Sequence, residues 1–359
     1  MDIFSEMEAH GHEQVVFCHD RDTGLKLIIG IHDTSLGPAL GGCRMWGYSS
    51  EADAVTDVLR LSEGMTFKNA SMGLDLGGGK CVIMKDGDID REALFRAVGR
   101  FVSTLGGRYI TAEDVGTSTD DMAHVARETA FVKGLKGRSG DPSTATAFGV
   151  FMGMKACLRQ VFGNEDLKGR KVAIQGMGHV GRYLAERLSQ EGASLVVTDI
   201  DADKAKAVAA ATGASVVGPD AIYGAEADLF APCALGAILN DDTIGRLRVR
   251  IVAGSANNQL KEPRHGAMLA ERGILYAPDF IINGGGVINV ADEMGPGGYD
   301  QERAMTRVAT IYDILRDVFR RAEEEGILPQ EAAHRIALER IEKKRGPGSM
   351  FIPAAYQAR

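Results

Sequence analysis

A chain of 359 residues exceeds what one hydrophobic core ordinarily holds and predicts roughly two domains, each able to bury a core given 45% hydrophobic residues. A formal net charge of −8 with no block of Lys and Arg excludes a nucleic-acid partner from the expectation. Five scattered cysteines without C-x-x-C spacing, a polar N-terminus and no apolar run of membrane-spanning length argue for reduced thiols, a cytoplasmic location, no membrane partner and no metal.

From the N-terminus, 15–18 and 25–31 read as strands joined by the turn Arg21-Asp22-Thr23-Gly24, an antiparallel pair. Residues 51–64 predict a helix with an apolar side of Ala52, Ala54, Val55, Val58, Leu59 and Leu61. A second, over 91–105, is capped by Asp90 and buried through Leu94, Phe95, Val98, Phe101 and Val102. A short strand over 109–111 follows. Three polar stretches, 37–42, 65–69 and 76–80, interrupt this part. Glycine is costly to order, so three in succession mark a place where a ligand or another backbone comes close. Lys80 follows such a run, but Cys81 stands where a phosphate loop needs Ser or Thr. Singly, Lys68, Lys80 and Asp114 read as solvated surface charges; beside the glycine breaks they become candidates for chemistry.

The most informative stretch is 171–199. Val172, Ala173 and Ile174 form a run suited to a strand buried on both faces. Gly176, Gly178 and Gly181 follow at G-x-G-x-x-G spacing, then a helix closed by Gly192, then a second strand over 195–198 ending at Asp199. Gly176 permits the tight turn, Gly178 lets the backbone approach a pyrophosphate, and Gly181 lets helix and strand pack closely. The free N–H groups of the helix N-terminus face the phosphates. Asp199 is placed to accept hydrogen bonds from an adenosine ribose and would repel a 2′-phosphate, which favours NAD over NADP.

Around this unit, 144–161 and 205–212 predict helices, and 214–217, 228–231, 251–254 and 275–277 predict short strands. Strand ends in a doubly wound sheet are where ligands bind, so 231–234, 254–258 and 283–286 qualify as ligand loops. Helices over 301–325 and 330–345 close the chain.

GPALGGCRMW, GMTFKNA, LDLGGGKCVI, RYITAEDVGT, LFAPCALGA, VAGSANNQLKE and YAPDFIINGGGVINVADE, with the dinucleotide loop, resemble the family of glutamate, leucine, phenylalanine and valine dehydrogenases, nearest its leucine-active branch. The resemblance runs from about Glu13 to about Arg340. It implies an α/β chain of two domains: an N-terminal mixed α/β substrate and oligomerisation domain over 1–140 and a doubly wound Rossmann NAD-binding domain over 141–325. A C-terminal helical segment, 326–359, would pack back on the first domain, and the catalytic cleft would lie between the two. The implied reaction is reversible oxidative deamination of an apolar L-amino acid, leucine favoured with valine and isoleucine, to its 2-oxo acid, ammonia and NADH. Valine or phenylalanine dehydrogenase activity is the alternative, and a catalytically inactive NAD-binding regulator is the rival from another class. A homo-oligomer is implied, an octamer by family pattern, with a dimer or tetramer as alternatives.

By matched position, Lys68 would bind the substrate carboxylate, Lys80 would be the general base, and Asp114 would exchange protons with the amine. Gly41 and Asn258 would fix the substrate's polar end, and Leu40, Met65, Ala112, Ala145, Val287 and Val290 would surround its side chain. Ala145 stands where leucine dehydrogenases commonly carry Val, which would widen that pocket. Cofactor positions would be Thr146, Gly176, Met177, Gly178, His179, Val180, Gly181, Asp199, Ile200, Ala231, Cys233, Asn257 and Asn283, with only the backbone of His179 required.

Overall fold

The computed structural model describes residues 2–85, 87, 89–346 and 349–354, in two compact units. The first comprises the described residues up to Asp141, with Val290–Asp300 and the described residues from Ala337. The second is Pro142–Asn289 with Gln301–Ile336.

In chain order the first unit contains α1 (Ile3–His10), β1 (Gln14–Asp20), β2 (Leu25–Asp33), β3 (Ala39–Trp46), α2 (Glu51–Ser71), β4 (Gly77–Met84), α3 (Arg91–Thr104), β5 (Tyr109–Glu113) and α4 (Thr119–Ala126). Its sheet runs β1-β2-β4-β3-β5, with β1 and β4 antiparallel to β2, and β3 parallel to both β4 and β5. The strands bury both faces by alternation. Leu27, Ile29, Ile31, Cys81 and Ile83 join Leu94, Phe95, Val98 and Val102 of α3, whereas Ile28 and Val82 join Ala54, Val55, Val58 and Leu59 of α2. Lys80 shares the parity of Val82 and therefore belongs to the α2 face.

The three polar interruptions expected from sequence are corrected here. Residues 39–46 and 77–84 are strands, and α2 continues through Ser71 instead of ending at Gly64. The glycines serve close backbone packing. A Cβ on Gly78 would lie 2.1 Å from Thr66 Oγ1 of α2, and one on Gly41 would lie 1.7 Å from the Gly79 carbonyl oxygen. Helix and central strands thus approach more closely than any larger residue permits.

The second unit holds α5 (Ser143–Phe162), β6 (Lys171–Gln175), α6 (His179–Gln190), β7 (Ser194–Thr198), α7 (Ala202–Thr212), β8 (Ser215–Val216), β9 (Leu229–Pro232), α8 (Asp241–Ile244), β10 (Ile251–Val252), α9 (Arg264–Glu271), β11 (Leu275–Tyr276) and α10 (Asp279–Ile282). It also holds most of α11 (Gly285–Asp292), then α12 (Gln301–Ala309), α13 (Ile311–Glu325) and the start of α14 (Pro329–Lys344). The sheet is wholly parallel in the order β11-β10-β9-β6-β7-β8. Its strand order reverses at β6, the doubly wound arrangement.

Two further expectations change. The helix expected over 301–325 breaks at Thr310, whose hydroxyl donates to the Arg307 carbonyl at 2.7 Å and so competes with helical bonding. The expected loop 283–286 narrows to a turn at Asn283 and Gly284, and Gly285 opens α11. A Cβ on Gly285 would lie 2.2 Å from the Ala145 carbonyl oxygen, so that glycine permits α11 to sit on α5. Within the first unit, Ala337 and Ile341 of α14 pack on Leu36, Phe67 and Ala70. Arg340 donates to the Leu74 carbonyl at 2.6 Å and pairs with Asp75 at 2.9 Å, holding the chain just beyond α2.

Candidate active site

In the first unit, β3, β4, β5 and α2 collect eight of the predicted positions, if Val290, returned by α11, is counted with them. Leu40 pairs in register with Gly78 of β4 and Ile110 of β5, and Gly42 pairs with Ala112. Alternation then places Leu40, Lys80 and Ala112 on the α2 face. Leu40, Lys80 and Ala112 are buried, as is Val290. Met65 of α2 comes within 3.3 Å of the place a Gly41 Cβ would take. Lys68 is half-buried one turn further along α2. Its neighbour Asn69 donates its side-chain amide to the Gly77 carbonyl at 2.6 Å, fixing that end of the helix on β4.

Lys80 and Asp114 meet directly, Nζ to Oδ2, at 2.9 Å. Asp114 follows β5, where its N–H donates to Thr117 Oγ1 at 2.9 Å. The same Oδ2 accepts from Nε of Arg44 at 3.1 Å. Burial pushes the Asp114 carboxyl up, but Lys80 and Arg44 outweigh it and hold the group below the usual carboxylate range. The neighbouring Glu113 goes the other way: burial, then Asp141, Asp114 and Asp121, push it up to about 7. The surroundings thus push the two adjacent acids in opposite directions.

Sequence reasoning does not single out Arg44 or Glu113. The available signal for Arg44 is its even spacing from Leu40 and Gly42 along β3, which puts it on the face carrying Lys80.

In the second unit the glycine turn lies at the end of β6, the switch point of the sheet. Gly176 has φ +99°, and a Cβ there would lie 2.9 Å from the Ala234 nitrogen. A Cβ on Gly181 would lie 1.9 Å from the Gly176 carbonyl oxygen, whereas one on Gly178 would meet nothing within 4 Å. Gly176 and Gly181 therefore serve the fold, and Gly178 leaves an open cradle at the N-terminus of α6 where a phosphate fits. Met177 is buried in the turn, and His179 and Val180 begin α6. Asp199 Oδ2 accepts from the Met177 N–H at 2.6 Å, and Ile200 beside it is 92% exposed.

Ala231 is buried on β9, and the Cys233 N–H donates to the Gln175 carbonyl at 2.7 Å, tying the two switch-point strands together. Asn283 donates to Asn257 Oδ1 at 2.8 Å, while its own Oδ1 is buried without a hydrogen-bond partner. Asn258 has a left-handed backbone, φ +50°. The Thr146 hydroxyl donates to the Pro142 carbonyl at 3.0 Å, Ala145 is buried, and Val287 is partly buried on α11. An open glycine cradle, an acid at the next strand end and an unmet acceptor in Asn283 suit a dinucleotide. Among the described residues no His, Cys, Asp or Glu cluster could hold a metal, and no helix is long and apolar enough to cross a membrane.

A parallel sheet of this order with a glycine turn at its switch point defines a dinucleotide-binding class. The family model for the Glu/Leu/Phe/Val dehydrogenase dimerisation domain matches residues 12–131. The Glutamate/Leucine/Phenylalanine/Valine dehydrogenase model matches residues 137–216 and 197–346. The chain belongs to this family, amino-acid dehydrogenases that are NAD(P)-dependent oxidoreductases acting on CH–NH2 donors. It is 56% identical to a leucine dehydrogenase of Thermoactinomyces intermedius over 98% of this chain and 97% of that protein. It is 49% identical to a phenylalanine dehydrogenase of Bacillus thermotolerans over 99% of this chain and 94% of that protein. The crystal structure of L-tryptophan dehydrogenase from Nostoc punctiforme superposes with a TM-score of 0.83 at 45% identity, covering 95% of this chain and 99% of that one.

Proposed function

We propose that the protein catalyses reversible oxidative deamination of L-leucine, and less favourably valine and isoleucine, with NAD and water, giving the 2-oxo acid, ammonia and NADH. The observation that carries this is the 56% identity to a leucine dehydrogenase over 98% of the chain. Bound NAD supplies the acceptor for the hydride leaving the substrate Cα. Gly176–Gly181, Asp199, Ile200, Ala231, Cys233, Asn257, Asn283 and Thr146 hold it. Asp199 selects NAD because a carboxylate accepts from ribose hydroxyls and repels a 2′-phosphate.

Lys68 binds the substrate carboxylate, with Gly41 and Asn258 at the same polar end. Lys80, in its uncharged form, takes a proton from the water that attacks the imine carbon. Asp114, which Arg44 keeps ionised while Lys80 is uncharged, takes a proton from the amine and returns it to the departing nitrogen. Leu40, Met65, Ala112, Ala145, Val287 and Val290 are all apolar, and apolar side chains rank substrates by volume, discriminating a methylene by only about 1–3 kcal/mol. Ala145 favours a second reading, with room for methionine or phenylalanine. We further propose a cytoplasmic homo-oligomer, octameric by family pattern.

A panel of L-leucine, valine, isoleucine, methionine and phenylalanine with NAD or NADP, read by NADH absorbance, tests the proposal. Leucine with NAD is expected to give the highest kcat/KM. A clear preference for phenylalanine moves the protein to the second reading. No turnover with any amino acid leaves an NAD-binding regulator.

A further inference from the structure

We infer that Arg44 is a positioning residue for Asp114: braced from behind by Asp57 and Tyr48, it fixes one carboxylate oxygen against Lys80 and presents the other to the reacting nitrogen. The inference rests on the catalytic reading of Lys80 and Asp114 given above.

The geometry is an alternating chain of charge. Lys80 Nζ pairs with Asp114 Oδ2 at 2.9 Å, and Arg44 Nε reaches that same oxygen at 3.1 Å. The other arm of Arg44, Nη1, reaches Asp57 Oδ2 on α2 at 3.0 Å. Asp57 is itself held by the Tyr48 hydroxyl at 2.7 Å and by Arg60 at 2.8 Å. The side chains of Arg44, Asp57 and Asp114 are 18%, 16% and 20% exposed, and that of Lys80 only 7%, so solvent screens these pairs weakly. A guanidinium presents two donors in a rigid fork; an ammonium on a flexible stem cannot hold two carboxylates in one geometry. Both cations bind Oδ2, and no hydrogen bond to Oδ1 occurs among the described residues. Arg44 thereby settles which oxygen is committed and which is presented.

The groups facing Asp114 come from every neighbouring element. They are Lys80 on β4, Arg44 and the Cys43 thiol on β3, Asp57 on α2, Tyr48 in the segment before α2, and Glu113 on its own strand. Burial opposes ionisation of Asp114, and Lys80 and Arg44 favour it. With Arg44 gone, Lys80 stands alone against burial, so the ionised form of Asp114 loses ground.

The test uses the full-length protein with isotope-labelled aspartate carboxyl carbons, the Asp114 resonance being assigned by its loss in Asp114→Asn. In Arg44→Met the Asp114 titration midpoint is expected to rise by on the order of one pH unit. A folded Arg44→Met protein whose midpoint stays at the wild-type value overturns the inference. Arg44→Lys keeps the charge and loses the fork. Its midpoint should stay near wild type while kcat falls roughly 10- to 100-fold with KM for leucine little changed. Wild-type kcat in Arg44→Lys overturns the positioning role, and it does so even if Arg44→Met fails to fold. The titration needs no turnover. A wild-type protein inactive on amino acids therefore sinks the functional reading and still leaves the role of Arg44 to be decided by the resonance.

Discussion

The backbone N–H of Met177, inside the glycine turn, donates to Oδ2 of Asp199 at the end of the next strand over 2.6 Å. One carboxylate thus closes the turn, and its other oxygen accepts from the Asp201 N–H at 2.8 Å. The residue proposed to choose the cofactor is also the one that shapes the loop beneath it.

Asp199→Ser, combined with Ile200→Arg, is expected to raise kcat/KM with NADP and to lower it with NAD by about 10- to 100-fold, the scale of one charge-assisted hydrogen bond. Initial rates with both nucleotides check this. A wild-type enzyme that already prefers NADP would defeat the ribose argument.

Two glycines of one turn should behave oppositely. Gly178 has φ −69° and open space around it, so Gly178→Ala is expected to fold with an unchanged melting temperature and to bind NADH poorly. Gly181→Ala would drive a Cβ to 1.9 Å from the Gly176 carbonyl and is expected to cost on the order of 1–3 kcal/mol of stability. Calorimetry and NADH fluorescence titration separate the two; tight NADH binding by Gly178→Ala would remove the phosphate from the cradle.

Lys80→Ala is expected to lose about 10²–10⁴-fold in turnover while retaining NADH binding, because the base and the nucleotide cradle lie in different units. Initial rates on a folded Lys80→Ala protein check this, and near-normal turnover would remove Lys80 from the chemistry.

Acid stability should be governed in part by His12. Burial, then His32, push it down to about 3 from an ordinary value of 6.5. The unfolded chain therefore binds a proton that the folded chain refuses between these values. The stabilising difference is complete above 6.5 and shrinks as pH falls toward 3, by up to about 1.4 kcal/mol per pH unit. His12 Nε2 also contacts Ser62 Oγ at 2.8 Å, so His12→Gln keeps a polar partner for α2. Urea unfolding across this range should show a shallower acid decline in His12→Gln; an identical slope would acquit the histidine.

The second unit was largely legible from residues 171–199, because a both-faces-buried strand, a glycine turn and a terminal acid are local patterns. There the spacing of Gly176, Gly178 and Gly181 carries most of the fold. The first unit was less so. Its glycine runs read as breaks, since a glycine that admits a neighbouring backbone and one that turns the chain look alike in sequence. Nothing near Gly41 or Gly78 announces that a carbonyl or a helix will occupy the place of a side chain.

Sequence by itself determined the two-part α/β organisation and the dinucleotide turn, and its resemblance to a family put forward Lys68, Lys80 and Asp114 as candidates for the chemistry. Only the tertiary structure decided that Lys80 and Asp114 share an ion pair, that Arg44 joins it on the same oxygen, and that Glu113 beside them is driven toward neutrality. The physical reason is that periodicity and spacing are one-dimensional, whereas charge state depends on which groups from β3, β4, β5 and α2 face one another across a few ångströms of weakly screened interior.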